Sequence, residues 1–365
     1  MPHPEFDRSK LSMRPLSERK NKLVAEEVVI DPEGVLRKAP GVGDAEGLIR
    51  RVAQRIRRAR KAGAPVILAF GAHAIKNGLS LVMLRLAQDG WITHFATNGA
   101  GSIHDWEFAY LGETGEDVRA NVADGTFGLW EETGRIIGLA VAVGALEGRG
   151  YGESVGAVIA SERLLIPSRK ELRKVLSGAS ADKAAAAADL LEVVERLGVK
   201  PGEQKLPHRW KHLSLQGGLF RLGVPLTVHP GIGYDIIYEH PAASGGAYGR
   251  TGYRDFLVFA EAVRNLSRGV YLSVGSSIMS PMVFEKALSM AQNVGLKDGR
   301  GISGHYICVN DLAPASWDWR QGEPPEDDPA YYLRYTKSFS RMGGEMDYVS
   351  LDNRAFLGRL WAELG

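Results

Sequence analysis

Apolar residues in this chain come in two rhythms. Short continuous runs, from Val66 to Phe70, Ile92 to Ala96, Val224 to Val228, Val270 to Val274 and Tyr306 to Val309, have the length and composition of strands buried on both faces. Between them apolar positions recur at helical spacing. Leu48, Ile49, Val52 and Ile56 predict a helix with Asp44 as its N-cap. Leu79, Val82, Met83 and Leu86 predict a second, ending near Gly90. Helices are expected from Glu131 to about Leu165, broken at Gly148-Arg149-Gly150. Another runs from Asp182 to Leu197 with Gly198 as its stop, and another from Arg254 to Leu266. Pro201 to His212 reads as a loop, as does 313–330 with its four prolines. Strand, helix and strand over residues 66–96 make a βαβ unit, whose crossover is right-handed. The whole predicts an α/β, Rossmann-like fold: a mostly parallel sheet with helices on both faces.

Composition narrows the class. A length of 365 residues admits one large domain with insertions. Residues 1–43 are polar and irregular, with Arg14, Arg19, Lys20 and Lys22. They read as a surface arm or as one reaching a neighbouring subunit, ahead of a single domain over 44–365 with a helical insertion at about 131–212. A net charge of +2 gives no pull toward nucleic acid. The first predicted helix carries Arg50, Arg51, Arg55, Arg57, Arg58, Arg60 and Lys61 without interleaved aromatics, which reads as a solvated face or a subunit contact. The lone Cys308 excludes an internal disulfide and fits a reducing compartment. No uncharged apolar run spans a bilayer and Met1 to Lys20 has no apolar core, so a cytoplasmic protein without a membrane partner is expected.

The chemistry gathers where the strands end. Gly71, Ala72 and His73 follow the first. Thr97-Asn98-Gly99-Ala100-Gly101, then His104 and Asp105, follow the second, and read as a glycine-rich turn. His229, Pro230, Gly231, Gly233, Asp235 and His240 follow the third; Gly275-Ser276-Ser277 the fourth; Asn310 and Asp311 the fifth. In a parallel sheet these ends share one edge, where open α/β sheets hold ligands. Small residues there let backbone amides approach a phosphate or flat ring. No Gly-x-Gly-x-x-Gly fingerprint or P-loop is present. Lys76 is either an exposed helix lysine or a nucleophile or phosphate ligand. His73, His104 and Asp105 also have the ligand types of a metal-dependent lyase or hydrolase, without diagnostic spacing. Trp317 and Trp319 either stack on a flat ligand or cover a core edge.

These turns resemble, in order, those of the deoxyhypusine synthase family over roughly residues 60–340. The family's Ser-Asn turn before a helix is similar to 71–78. Its Thr-Thr-Ala-Gly-Gly turn resembles Thr97 to Gly101, and its Leu-Gly-Glu resembles Leu111-Gly112-Glu113. Its aspartate falls on Asp235, its active-site histidine on His240 and its triple-glycine turn on Gly275 to Ser277. The resemblance implies a dinucleotide-binding fold and NAD as cofactor, held by Ala72, His73, Thr97 to Gly101, Asp105, Gly275 to Ser277, Asn310 and Asp311. It also implies a small amine or polyamine substrate and a homotetramer, or a dimer, with sites at subunit contacts. His240, Asp235, His104 and Lys76 become the catalytic candidates. Three departures stand out. Ser280 occupies the place of the imine-forming lysine, His104 that of an acidic residue, and Pro230 that of an aspartate. The expected activity is therefore NAD-dependent oxidation or transfer of an amine, and not deoxyhypusine synthesis. A protein that binds NAD without catalysis is the alternative from another class.

Overall fold

The computed structural model describes residues 3–365; Met1 and Pro2 of the expected arm lie outside the described residues. Six strands make one all-parallel sheet: β1 (Val66–Phe70), β2 (His94–Asn98), β3 (Leu226–His229), β4 (Val270–Val274), β5 (Tyr306–Asp311) and β6 (Glu345–Ser350). They lie in the order 6-5-4-1-2-3. The chain starts in the middle, winds outward through β2 and β3, then crosses back and winds outward through β4, β5 and β6. This is the doubly wound Rossmann-like topology, with its switch point between β1 and β4.

The helices that cover the sheet are α1 (Glu46–Lys61), α2 (Ser80–Gln88), α3 (Gly99–Leu111), α4 (Glu131–Glu147), α5 (Tyr151–Ser161), α6 (Ala181–Leu197), α7 (Leu215–Leu222), α8 (Gly245–Arg264), α9 (Met279–Lys297) and α10 (Asn353–Leu364). Strand alternation divides the core. Val66, Leu68 and Phe70 join one apolar cluster with α1, α2 and α10. Ile67 and Ala69 join another with α8 and α9. A strand that buries both faces is apolar nearly throughout, Ser273 being the one polar residue in these two, which is why β1 and β4 were legible as runs. A third cluster lies among α4, α5 and α6.

Several elements differ from expectation. β2 begins at His94 and reaches Asn98, and α3 starts at Gly99 with no turn between them. The glycines open a helix because Asn98 caps it, accepting the Gly101 N–H at 2.9 Å. Asp44 caps nothing; it lies in a short 3₁₀ turn ahead of α1. Gly202–Lys205, expected as loop, pairs antiparallel with Arg163–Ile166. α8 begins nine residues before Arg254, its first turns disguised by glycines. β6 was unforeseen because Glu345 and Asp347 interrupt its apolar residues. Those carboxylates meet the basic face of α1, Arg51 with Asp347 at 3.2 Å and Arg55 with Glu345. That face therefore serves its own chain.

The arm also serves its own chain. Arg8 donates to the carbonyls of Tyr238, His240 and Ala243 at 3.0–3.1 Å. The Arg14 N–H reaches the Leu129 carbonyl at 2.9 Å, and Leu16 is buried.

The switch point depends on bare backbone. A Cβ on Gly71 would sit 2.1 Å from the Gly275 carbonyl oxygen. Gly71→Ala must push the ends of β1 and β4 apart, and we expect a loss of about 1–3 kcal/mol or more. Gly47→Ala, on α1 with nothing within 4 Å, is expected to be neutral or stabilising by up to about 1 kcal/mol. Urea unfolding of both variants checks this; equal stabilities would contradict the packing.

Candidate functional site

Two features share the carboxyl edge of the sheet. The first is the switch point. Gly275, at φ +56°, donates its N–H to the Asn310 carbonyl at 2.9 Å. Asn310 is buried and donates its amide to Asn353 Oδ1 at 3.0 Å, while its own Oδ1 finds no donor. A buried acceptor without a donor carries an energetic cost that a ligand N–H or O–H relieves. Ala72 is half-buried and His73 and Ser277 are exposed, so the turns after β1 and β4 present backbone and small polar groups to solvent. Ser276 is occupied, its hydroxyl accepting from the Ser280 N–H at 3.2 Å. Asp311 accepts from the N–H of Leu312 at 2.8 Å and of Ala313 at 3.3 Å, shaping its own loop.

The second feature is a cavity of about 240 Å³ over the ends of β1, β2 and β3. Lys76 enters it from the short helix Ala72–Lys76, His104 and Glu107 from α3, Asp235 from the loop after β3, and Arg19 from the arm. Three of the four catalytic candidates thus come together. Arg19 was not foreseen, since an arginine in a polar, irregular segment carries no sign that its guanidinium is 98% covered (side-chain exposure 2%).

These side chains form a bonded series. Arg19 Nη1 meets Glu107 Oε1 at 2.7 Å, with Glu107 itself buried. The Thr133 hydroxyl donates to Glu107 Oε1 at 3.2 Å, and the Thr114 hydroxyl donates to its Oε2. Thr114 Oγ1 lies 2.7 Å from His104 Nδ1. Because the Thr114 proton is directed to Glu107, its oxygen accepts, and Nδ1 of His104 must carry the ring proton. Nε2 is then left as a lone pair. Burial holds the His104 pKa down at about 4; Glu107 opposes this, and Lys76 and Arg19 reinforce it. Glu107 is held below the usual carboxylate range: burial raises its pKa, but Arg19 beside it, with His104 and Thr114, outweighs that.

Asp235 explains a glycine. A Cβ on Gly99 would lie 2.3 Å from Asp235 Oδ2, so the carboxylate rests on the first residue of α3. A Cβ on Gly101 would meet the Thr97 hydroxyl at 2.1 Å, and that hydroxyl donates to the Phe70 carbonyl at 3.0 Å. Both close approaches are therefore made by the protein's own side chains. Ala100 lies between them on the cavity wall.

The remaining candidates lie elsewhere. Asp105 faces away from the cavity group. Its oxygens accept from the Ser214 hydroxyl at 2.7 Å, from the N–H groups of Leu215 and Gln216 at 2.8 and 3.0 Å, and from the Gln216 amide at 3.1 Å, so it anchors the start of α7. Among the described residues no three His, Cys, Asp or Glu side chains gather in a group able to hold a metal ion. The metal reading of His73, His104 and Asp105 fails on the position of Asp105. His240 is buried outside the cavity. Its Nδ1 accepts from the Ala242 N–H at 2.9 Å, so Nε2 carries the proton and faces Glu131 at 3.1 Å. Its ring packs on Gly134 of α4, where a Cβ would come within 2.4 Å. Trp319 is buried, and Trp317 donates to the Gly322 carbonyl at 3.0 Å within its loop.

No family model and no curated protein matches this chain. Solved structures give distant likenesses. A ternary complex of AgrE with ornithine and NAD+ is 14% identical with a TM-score of 0.43, over 92% of this chain and 34% of that one. Apo ArgZ, an arginine dihydrolase from the ornithine-ammonia cycle in Cyanobacteria, is 15% identical with a TM-score of 0.40, over 87% and 32%. A putative LOR/SDH protein from Methanococcus maripaludis S2 is 13% identical with a TM-score of 0.43, over 87% and 69%. The chain spans about one third of the length of AgrE and ArgZ. Likenesses of this degree carry no inference about activity, and none of these proteins is named as a deoxyhypusine synthase. No helix among the described residues is long and apolar enough to cross a membrane.

The pKa of Asp235 yields a test with a defined sign. Burial pushes it up to about 6, against the lowering effect of the Gly231 N–H. Between the unfolded value near 4 and the folded value near 6, the native state binds more protons, so this group's contribution to stability falls as pH rises through that window. Asp235→Asn is expected to stabilise the protein at pH 8 by on the order of 2 kcal/mol, and the gain should vanish below about pH 4. Thermal unfolding across pH checks it; a gain that persists at low pH would contradict the assignment.

Proposed function

We propose that this protein is an NAD-dependent enzyme that oxidises, or transfers a group from, a small amine-type substrate. The observation that carries the reading is the juxtaposition of the switch point with the cavity holding Lys76, His104 and Asp235, linked by the short helix Ala72–Lys76. The likeness of the turns to deoxyhypusine synthase supports NAD as the dinucleotide. Ala72, His73, Gly275, Ser277 and Asn310 would hold it at the switch point, with the unpaired Asn310 Oδ1 as a ready acceptor. Bound there, the oxidised nicotinamide supplies an acceptor for hydride.

The chain's own residues supply the proton chemistry. His104 presents Nε2 as a base, fixed in its tautomer by Thr114 and Glu107. Asp235, on the same cavity, would balance the charge of an ammonium group brought to His104. Burial keeps His104 neutral in the resting state, and the charge of Lys76 on the same cavity reinforces this. Ser280 cannot form an imine, and its hydroxyl is buried against Tyr271 at 2.8 Å. His240, turned toward Glu131 and Ala242, is a positioning residue that fixes the loop following Asp235.

Calorimetry with NAD and NADH tests the cofactor; no heat and no thermal shift with either form would overturn it. His104→Gln is expected to retain dinucleotide binding and to lower turnover by on the order of a hundredfold. Undiminished turnover in that variant would remove His104 from the chemistry.

The same edge carries an apolar fringe. Ile232, Ile278, Leu312 and Tyr234 are 76, 74, 70 and 67% exposed, which is more than scattered surface residues require. The fringe supports assembly into a homotetramer or dimer with sites at subunit contacts. Light scattering is expected to give a mass of at least two chains; a clean monomer at micromolar concentration would contradict this.

A further inference from the structure

Arg19 is a buried cation with one nitrogen to spare. Its Nη1 is bound to Glu107 and its Nε donates to Asn21 Oδ1 at 2.7 Å, yet the buried Nη2 has no acceptor. Its guanidinium also lies over the Trp130 ring, 5.6 Å from the centroid, which holds it in place. A buried guanidinium nitrogen left without an acceptor is costly, and an acceptor brought to this cavity by a ligand would complete it. Lys76, on the same cavity, supplies a second donor.

The rest of the wall has the opposite sign. Glu107 is matched by Arg19, but Glu116 and Asp235 also line the cavity, so two cations face three carboxylates. A dianionic phosphate is disfavoured by that balance. A plain diamine or polyamine leaves Arg19 Nη2 unsatisfied and sets its own charge against Arg19 and Lys76. A ligand with both signs satisfies both sides. The cavity, at about 240 Å³, equals the liquid volume of about eight waters, the scale of a small metabolite.

We infer that the cavity takes a small amino acid, its carboxylate held by Arg19 and Lys76 and its ammonium group by Asp235. The inference rests on reading this cavity as the substrate chamber and names the class of amine it accepts. Arginine and lysine together form charge-assisted hydrogen bonds to one carboxylate, which fixes the orientation of the carbon bearing nitrogen.

The test compares common L-amino acids with their decarboxylated amines by thermal shift on the full chain, followed by calorimetry on the best pair and on inorganic phosphate. An amino acid is expected to bind at least tenfold more tightly than its amine, and phosphate to bind more weakly than either. Lys76→Met, at a half-buried helix position, should weaken the amino acid at least tenfold and leave the amine within about threefold. Arg19→Met combined with Glu107→Gln removes both buried charges together and should abolish the preference. An amine that binds as tightly as its amino acid, phosphate as the tightest ligand, or no binding by any amino acid would each overturn the inference. NAD titrated in parallel separates the two readings. NAD binding without amino-acid binding removes the substrate class and leaves the cofactor; amino-acid binding without NAD does the reverse.

Discussion

The ion pair between Arg19 and Glu107 is the constraint from which the rest of the site follows. Two charges are taken almost wholly out of water, at 2% and 1% side-chain exposure. Such a pair need not stabilise a fold more than apolar residues would, but breaking it costs about 3–5 kcal/mol because one charge is then left alone. The pair therefore ties the arm to α3. It also orients Glu107 so that the Thr114 hydroxyl donates to it and accepts from His104. The tautomer of His104, the free nitrogen of Arg19 and the charge balance of the cavity all follow from one buried contact.

The sheet sets where that contact can matter. In the order 6-5-4-1-2-3 the strands diverge at β1 and β4, and their ends are the place where following segments separate and leave a crevice. Gly71 lets the two strand ends touch backbone to backbone, and Gly275 makes room for the Asn353 amide. The glycines of α3 do something different. Gly99 receives the Asp235 carboxylate and Gly101 the Thr97 hydroxyl, so a motif that resembles a ligand cradle is partly filled from within. This joins the ends of β1, β2 and β3 into one wall, with the Asp235 carboxylate packed on the first residue of α3.

The sequence alone determined the sheet's core. Val66–Phe70 and Val270–Val274 were legible to the residue because a parallel strand buried on both faces is apolar nearly throughout, with Ser273 the one polar residue in the two. That chemistry would gather beyond the strand ends was equally legible, and Lys76, His104 and Asp235 do share a cavity. Tertiary structure decided the rest. β6 and the arm hide their contacts behind charges, since Asp347, Glu345 and Arg19 are read as surface residues until a partner of opposite sign is brought to them from far along the chain. Asp105 and His240 have the right chemistry at the right spacing, yet α7 and α4 claim their polar atoms. Spacing fixes which residues can reach an edge of the sheet. Which way each side chain turns depends on partners a hundred residues away, and only packing brings those into reach.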